Sequence, residues 1–362
     1  MVRGAAVFVL GGLLLCGLAV GAAGRTVPAP EPPRETPPDQ SFEDEITVSL
    51  STIVVRVVDT WGRPILGLKP EDFRVRVGKS EIPVTALDWI SAGEEPAPAV
   101  HPEVATVEER TIEEAVRPAA PGRLVVFFVQ ADLNPTRISG QLRMRPYTRE
   151  LLGTLHPGDQ VAVVSFDSHL KLWQDFTADR DETHAALARA MLFSPEEDVR
   201  LAEPHSLARH FDFAAARRAA SPERALELTA RAMEPLPGEK LLIFLGWGLG
   251  RYTSNGVYMT PDYKPAVRAL GKAHASVFVL DVTSADAHSL EVGLQSVADA
   301  TGGMYYRTFR QPNLATETLA QTISGYYVLT LDNAALAGET GKVRIDLRER
   351  RGTVLARPVT VR

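Results

Sequence analysis

The chain reads as an α/β protein: a doubly wound, mostly parallel sheet with helices on both faces, joined to a smaller antiparallel β-sandwich-like part. Three observations predict it. Between residues 123 and 327, short apolar runs alternate with amphipathic stretches, as expected for strands buried on both faces and helices covering them. Residues 46–91 instead alternate apolar and charged positions at period two, as in "DFRVRVG" (72–78), which marks strands with one wet face. Residues 328–362 return to that pattern in "KVRIDLRE" (342–349) and "TVLARPVTV" (353–361).

The first element is an address. Arg3 supplies a positive start, residues 5–20 are almost wholly apolar, and "GAAG" (21–24) offers small residues for cleavage, so residues 1–24 read as a signal peptide. An uncleaved anchor is the alternative, because the apolar run approaches spanning length. Only in that case does the chain have a membrane partner. Cys16 is the only cysteine, and Leu15 before it does not suit lipid attachment. Cleavage leaves no disulfide, thiol nucleophile or cysteine metal site. This suits a secreted or periplasmic bacterial protein. Residues 25–45, with "PAPEPPRETPPDQ" (28–40), are a Pro-rich tether too polar to bury a core.

Residues 46–91 form the N-terminal β segment. "TIVVRVVD" (52–59) is a strand, "WGRP" a turn, "GLKPEDF" (67–73) a corner, and "IPVTALDWI" (82–90) a further strand. Residues 92–122, rich in Ala, Pro and Glu, are a linker. The α/β part spans 123–327. Its strands are predicted at 124–129, 160–166, 170–174, 240–245, 276–280 and 304–307. Its helices are predicted at 138–155, 181–192, 206–219, 222–233, 261–275, 290–301 and 313–324. Pro222 after Ser221 is a good helix start, and Gly302-Gly303 a good stop. "GYYVLTL" (325–331) opens the return to β structure. The segment 328–362 is placed to complete the N-terminal β domain, since chain ends commonly lie close together.

Several function classes are excluded. The formal net charge is −6, and no run of Lys or Arg makes a nucleic-acid stripe. "GWGLGRYTSN" (246–255) is Gly-rich after a strand, but no Lys-Ser/Thr follows for a phosphate. The eight histidines show no zincin spacing. Ser165, Asp167 and His169 lie close in sequence without a nucleophile elbow or an oxyanion loop. No catalytic residue is predicted, and the chain is not expected to be an enzyme; an enzyme of unknown chemistry is the remotest reading.

Four pieces together resemble a von Willebrand factor A (VWA) domain. They are "PGDQVAVVSFDSHLKLWQDFTADRDETHAAL" (157–187), "KLLIFLGWGLG" (240–250), "ASVFVLDVT" (275–283) and "LEVGLQSVADATGGMYY" (290–306). The β segment "VVRVVDTWGRPILGLKPEDFRVRVGKSEIPV" (54–84) is similar to that of acidobacterial VWA-related secreted proteins. The resemblance implies a binding domain that grips partners at the strand-end loops. In metal-binding members the first loop supplies Asp-x-Ser-x-Ser, a later loop a Thr, and the loop after the fourth strand an Asp.

Here that set is degenerate. The first loop offers Gln130, Asp132, Asn134 and Thr136. In a shifted register Asp132, Asn134 and Thr136 imitate the oxygen triplet a hard cation wants, with Mg²⁺ or Ca²⁺ as the ion. Pro135 argues against that turn, the loop 193–204 has no Thr, and Gly246-Trp247-Gly248 stands where the family's Asp falls. The competing reading is that Asp132 and Asn134 cap the following helix. The expectation is therefore a non-catalytic protein that binds an unidentified protein partner without metal or cofactor. Asp132, Trp247, Arg251, Tyr252 and Asp281 are the predicted contact residues. Metal-dependent adhesion is the alternative. Asp281 and Asp286 follow the fifth strand on the same sheet edge as Asp132, where open α/β sheets bind ligands.

Overall fold

The computed structural model describes residues 51–92 and 122–361. The predicted signal segment, the tether, nearly all of the linker and the first residues of the β segment lie outside them.

In chain order the first strands are β1 (Ser51–Val58), β2 (Phe73–Val77), β3 (Ser80–Ile82) and β4 (Val84–Ser91). Then come β5 (Leu124–Gln130), α1 (Pro135–Thr154), β6 (Gln160–Phe166), β7 (Leu170–Thr177) and α2 (Arg180–Met191). A one-turn α3 (Phe213–Ala216) precedes α4 (Pro222–Met233), β8 (Lys240–Gly246) and the hairpin β9 (Arg251–Thr253) and β10 (Gly256–Tyr258). The chain continues through α5 (Tyr263–Lys272), β11 (Ala275–Asp281), α6 (Glu291–Ala300), β12 (Tyr305–Arg307) and α7 (Pro312–Thr322). It closes with β13 (Gly325–Leu331), α8 (Asn333–Leu336), β14 (Gly341–Leu347), β15 (Thr353–Ala356) and β16 (Thr360–Val361).

The central sheet has six strands in the order β12-β11-β8-β5-β6-β7, parallel except for the edge strand β7. Every residue of β5, β8 and β11 is buried, because helices cover both faces. Alternate side chains along each strand feed two separate cores. Val126, Phe128, Leu242, Phe244, Val277 and Val279 face α4, α5 and α6. Val125, Phe127, Leu241, Ile243, Phe278 and Leu280 face α1, α2 and α7.

Two four-stranded antiparallel sheets, β15-β1-β13-β4 and β16-β14-β2-β3, share a third core. Val55 and Val57 of β1 meet Phe73, Val75 and Val77 of β2 and Tyr327 and Leu329 of β13 there. Each sheet joins the start of the chain to its end: β1 pairs with β13 and β15, and β2 pairs with β14. Among the described residues, these sheets and the α/β layers belong to one compact unit.

The join lies at the amino ends of the central strands. Arg56, 3% exposed, leaves the outer face of β1 to pair with Glu239, just before β8, and to lie over the ring of Phe278 at 5.5 Å. Arg357 donates to the carbonyl of His274, just before β11. Thr322 at the end of α7 donates to the carbonyl of Gly62 (2.9 Å). The opposite, carboxyl ends of the strands are left for the loops.

One predicted helix is corrected. Residues 206–219 form a 3₁₀ turn at Ala208–His210 and the one-turn α3 instead. The buried Asp175 carboxylate takes the backbone N–H of Leu207 (2.7 Å) and Ala202 (3.0 Å) and the hydroxyl of Ser206 (2.5 Å). A strand residue distant in sequence thus anchors the start of this segment to β7, and the segment forms two short turns rather than one continuous helix.

Candidate functional site

The sheet reverses its winding between β5 and β8. From β5 the chain moves outward to β6 and β7, then returns to β8 and proceeds to β11 and β12 on the other side. Ligand clefts of open α/β sheets form at that switch point, outside the carboxyl ends of the strands. A cleft of about 550 Å³ lies there, lined by Gln130, Asp132, Leu133, Phe166, Phe193 and Trp247 among others.

Gln130, the last residue of β5, is 1% exposed. Its Oε1 accepts from the N–H groups of Trp247 (3.0 Å) and Gly248 (3.3 Å), and its Nε2 donates to the Gly248 carbonyl (2.8 Å). Gln141 of α1 donates to the Gln130 carbonyl. A neutral amide thus ties β5, the loop after β8 and α1 together, and its polar atoms are satisfied as burial requires.

The next residues turn inward on themselves. Asp132 accepts from the N–H of Asn134 (2.7 Å) and forms an ion pair with Arg137. Asn134 is the N-cap of α1, accepting from Thr136 N (3.1 Å) and Thr136 Oγ1 (2.7 Å), with Pro135 at the first helical position. Asp132, Asn134 and Thr136, the predicted cation triplet, are therefore engaged with each other and with Arg137. The Arg137 guanidinium lies 3.4 Å from the centroid of the Trp247 ring, a close cation–π stack. The positive charge beside Asp132 is this chain's own arginine. Trp247 lines the cleft, and its indole Nε1–H is buried without a hydrogen-bond partner among the described residues.

Arg251 and Tyr252 sit on β9 of the hairpin, not in the cleft. Tyr252 is 68% and Tyr258 55% exposed, so the hairpin that begins in the Gly-rich stretch presents two aromatic rings to solvent on a short ribbon. Asp281 needs correction as a contact residue, because it is 2% exposed. It accepts from His288 Nε2 (2.8 Å), Tyr305 OH (2.5 Å) and Thr283 N (3.0 Å). Burial works to raise its pKa, but the hydrogen bonds from His288, Tyr305 and Thr283 and the His288 charge outweigh it and hold the carboxyl below the ordinary value. Asp286 pairs with Arg310 at the surface. Ser165 is buried and accepts from the Trp173 indole (2.7 Å), while the ring nitrogens of His169 face Ser168 Oγ (3.0 Å) and Glu196 (3.2 Å).

Arg137 and Gln141 escaped the sequence reading, as did the partners of Asp281. Gln130 and Gln141 stand eleven residues apart on a strand end and a helix. Arg137 and Trp247 belong to different crossovers. No local periodicity announces either pair, and only the closed sheet brings them together.

No family model matches the chain, and no curated protein matches it. Among solved structures, a von Willebrand factor type A protein from Catenulispora acidiphila is similar at 14% identity, covering 82% of this chain and 74% of that one, with a TM-score of 0.39. BatB from Bacteroides thetaiotaomicron is similar at 16% identity over 56% of this chain and 97% of its own, with a TM-score of 0.36. An aerotolerance-related membrane protein from Bacteroides fragilis is similar at 15% identity over 55% of this chain and 98% of its own, with a TM-score of 0.35. Likeness at this level carries no functional inference. Among the described residues, no helix is long and apolar enough to cross a membrane.

Proposed function

We propose that the protein is a non-catalytic, VWA-like binding protein of the bacterial cell envelope, exported by its N-terminal segment. It holds a protein partner at the cleft between the ends of β5 and β8 without a metal ion in that cleft. The Arg137 guanidinium, paired with Asp132 and stacked on Trp247, carries this reading. The two carboxylates lining the cleft are each neutralised by a cation of this chain, Asp132 by Arg137 and Asp167 by Lys171. What remains for a partner is Leu133, 73% exposed, the part-exposed ring of Trp247, and the exposed Tyr252 and Tyr258 on the neighbouring hairpin. Aromatic rings and arginine are the residue types that dominate protein interfaces. The antiparallel sheets form a β-sandwich-like domain at the far end of the strands, leaving the cleft open.

The test has two arms. Mg²⁺ or Ca²⁺ titrated to millimolar concentration is expected to leave the melting temperature unchanged, since only a ligand of the native state raises it. A rise abolished by Asp132→Ala would transfer the reading to metal-dependent adhesion. For a partner recovered by cross-linking, Trp247→Ala and Tyr252→Ala are each expected to weaken binding by about tenfold or more. Undiminished binding by both variants would remove this surface from consideration.

A further inference from the structure

One cluster beside the cleft is not used by the proposed binding role. Asp281 ends β11, His288 lies in the loop that follows, and Glu291 opens α6. One ligand atom from each lies within 4.8 Å of the other two. The set is mixed: an imidazole nitrogen, two carboxylates and, bridging them, the Tyr305 hydroxyl, 2.5 Å from Asp281 Oδ2 and 3.4 Å from Glu291 Oε2. Arg307 holds the other Glu291 oxygen at 3.0 Å, leaving Oε2 turned to the cluster. Thr308 Oγ1 donates to the Asp281 carbonyl (2.6 Å), so the end of β12 fixes the strand end from behind. His288 and Glu291 are 19% and 16% exposed in their side chains, which gives an ion a short way in from solvent.

We propose that Asp281, His288 and Glu291 form a binding site for a divalent transition-metal ion of the zinc class, separate from the cleft. Imidazole with carboxylates selects zinc-like ions over Mg²⁺ and Ca²⁺, which prefer all-oxygen shells. Ligands about 2.0–2.2 Å from zinc sit about 3.4 Å apart in a tetrahedron, so modest side-chain rotation closes the set. His288 would ligate through Nε2 as a neutral imidazole with its single N–H on Nδ1, so the ion replaces the proton that bridges Nε2 and Asp281 without changing the ring's charge. The two carboxylates and Arg307 sum to one negative charge, which the dication reverses. Water would complete the fourth position, with the Tyr305 hydroxyl kept as a donor to Asp281 Oδ2. Glu291 is held by Arg307 and Asp281 by Thr308, the kind of outer support that orients metal ligands.

The ion has a structural consequence. The loop 282–290 packs on the wall of the cleft: Val282 N donates to the Gly246 carbonyl (2.9 Å), and a Cβ on Gly248 would lie 2.5 Å from Leu290 Cβ. Clamping His288 to Asp281 and Glu291 therefore stiffens the loop that backs Trp247 and Gly248.

Zinc chloride titrated into the purified chain, followed by calorimetry and by competition with a chromophoric chelator, tests the site. One ion per chain is expected, with a rise in melting temperature. His288→Gln and Glu291→Gln are each expected to weaken binding at least about tenfold and to abolish the zinc-induced rise in melting temperature, each variant being compared with its own melting in chelator. Asp132→Asn, in the cleft, is expected to leave zinc affinity as it was; sensitivity to Asp132 alone would relocate the ion to the cleft and overturn this site together with the metal-free reading of the cleft. No stoichiometric uptake at submillimolar zinc, or uptake indifferent to both His288 and Glu291, overturns the site alone. Should either variant fail to fold, cobalt(II) bound to the native chain decides. Intense four- or five-coordinate absorption sustains the site, and the weak spectrum of hydrated cobalt refutes it.

Discussion

Asp167, on the wall of the cleft, shows how one side chain is held by local chemistry. Its Oδ2 takes the Lys171 ammonium at 2.8 Å, and its Oδ1 takes the backbone N–H and the hydroxyl of Ser168. Burial alone would push its carboxyl up, but the Lys171 hydrogen bond, the Ser168 hydrogen bonds and the Lys171 charge outweigh it and hold it below the ordinary value of 3.8. A carboxyl depressed in the folded state adds stability that is complete above its unfolded pKa and is lost as pH falls below it. Asp167→Asn is therefore expected to cost about 1 kcal/mol at neutral pH, after allowance for solvent screening, or ~2–4 °C in melting temperature. The deficit shrinks toward about pH 3. Thermal melts of both chains at the two pH values check this, and a deficit independent of pH would refute it. At this scale the capping role of Asn134 was legible, because Asn before Pro at a helix start carries its own hydrogen-bond geometry. The partner of Asp132 was not, because either a metal ion or Arg137 satisfies an aspartate and the sequence alone does not choose.

Among the elements, α1 shows a conflict between propensity and packing. Glycine inside a helix costs about 1 kcal/mol relative to alanine. Gly140 is retained where a Cβ would lie 1.8 Å from the Val282 carbonyl oxygen, so the helix rests directly on the backbone leaving β11. Gly140→Ala gains propensity but forces α1 or the loop 282–290 to shift. A net loss of about 1–3 kcal/mol is expected in urea unfolding, and an unchanged or higher midpoint would mean that the close approach is dispensable. The central strands were legible to within a residue or two, because their apolar runs have no reading except burial on both faces. The helix predicted at 206–219 was not, because its first residues are anchored by Asp175, which stands on a strand distant from it in sequence.

For the whole molecule, the ends of the chain are interlocked. β1 lies between β13 and β15, and β2 pairs with both β3 and β14. A chain ending at Ser324 leaves β1 and β4 without any strand partner, leaves β2 with β3 alone, and opens the core around Val55 and Val75. Such a chain is expected to lose cooperative unfolding of its β part and to aggregate through the exposed edges. Calorimetry and light scattering read the outcome, and a soluble shortened chain with the native transition would show that the two ends fold independently. Two buried pairs carry the same interlocking into the α/β layers. Arg56 reaches Glu239, and Arg123, whose Nη2 lies 2.5 Å from Asp159 Oδ2, also donates to the Ile323 carbonyl at the end of α7.

The sequence by itself determined the order and type of nearly all the elements, because apolar periodicity of two or of 3.6 residues is a local property that survives any tertiary arrangement. It also determined that the first loop lacks the usual oxygen triplet, since residue identity is visible without coordinates. Only the tertiary structure decided what stands in place of a cation: Arg137 and Trp247 come from separate crossovers and meet because β5 and β8 are neighbours at the switch point. It likewise turned Asp281 from a rim residue into a buried acceptor gathered with His288, Glu291 and Tyr305. Contacts between distant segments depend on sheet order, and sheet order is settled by the packing of the whole core.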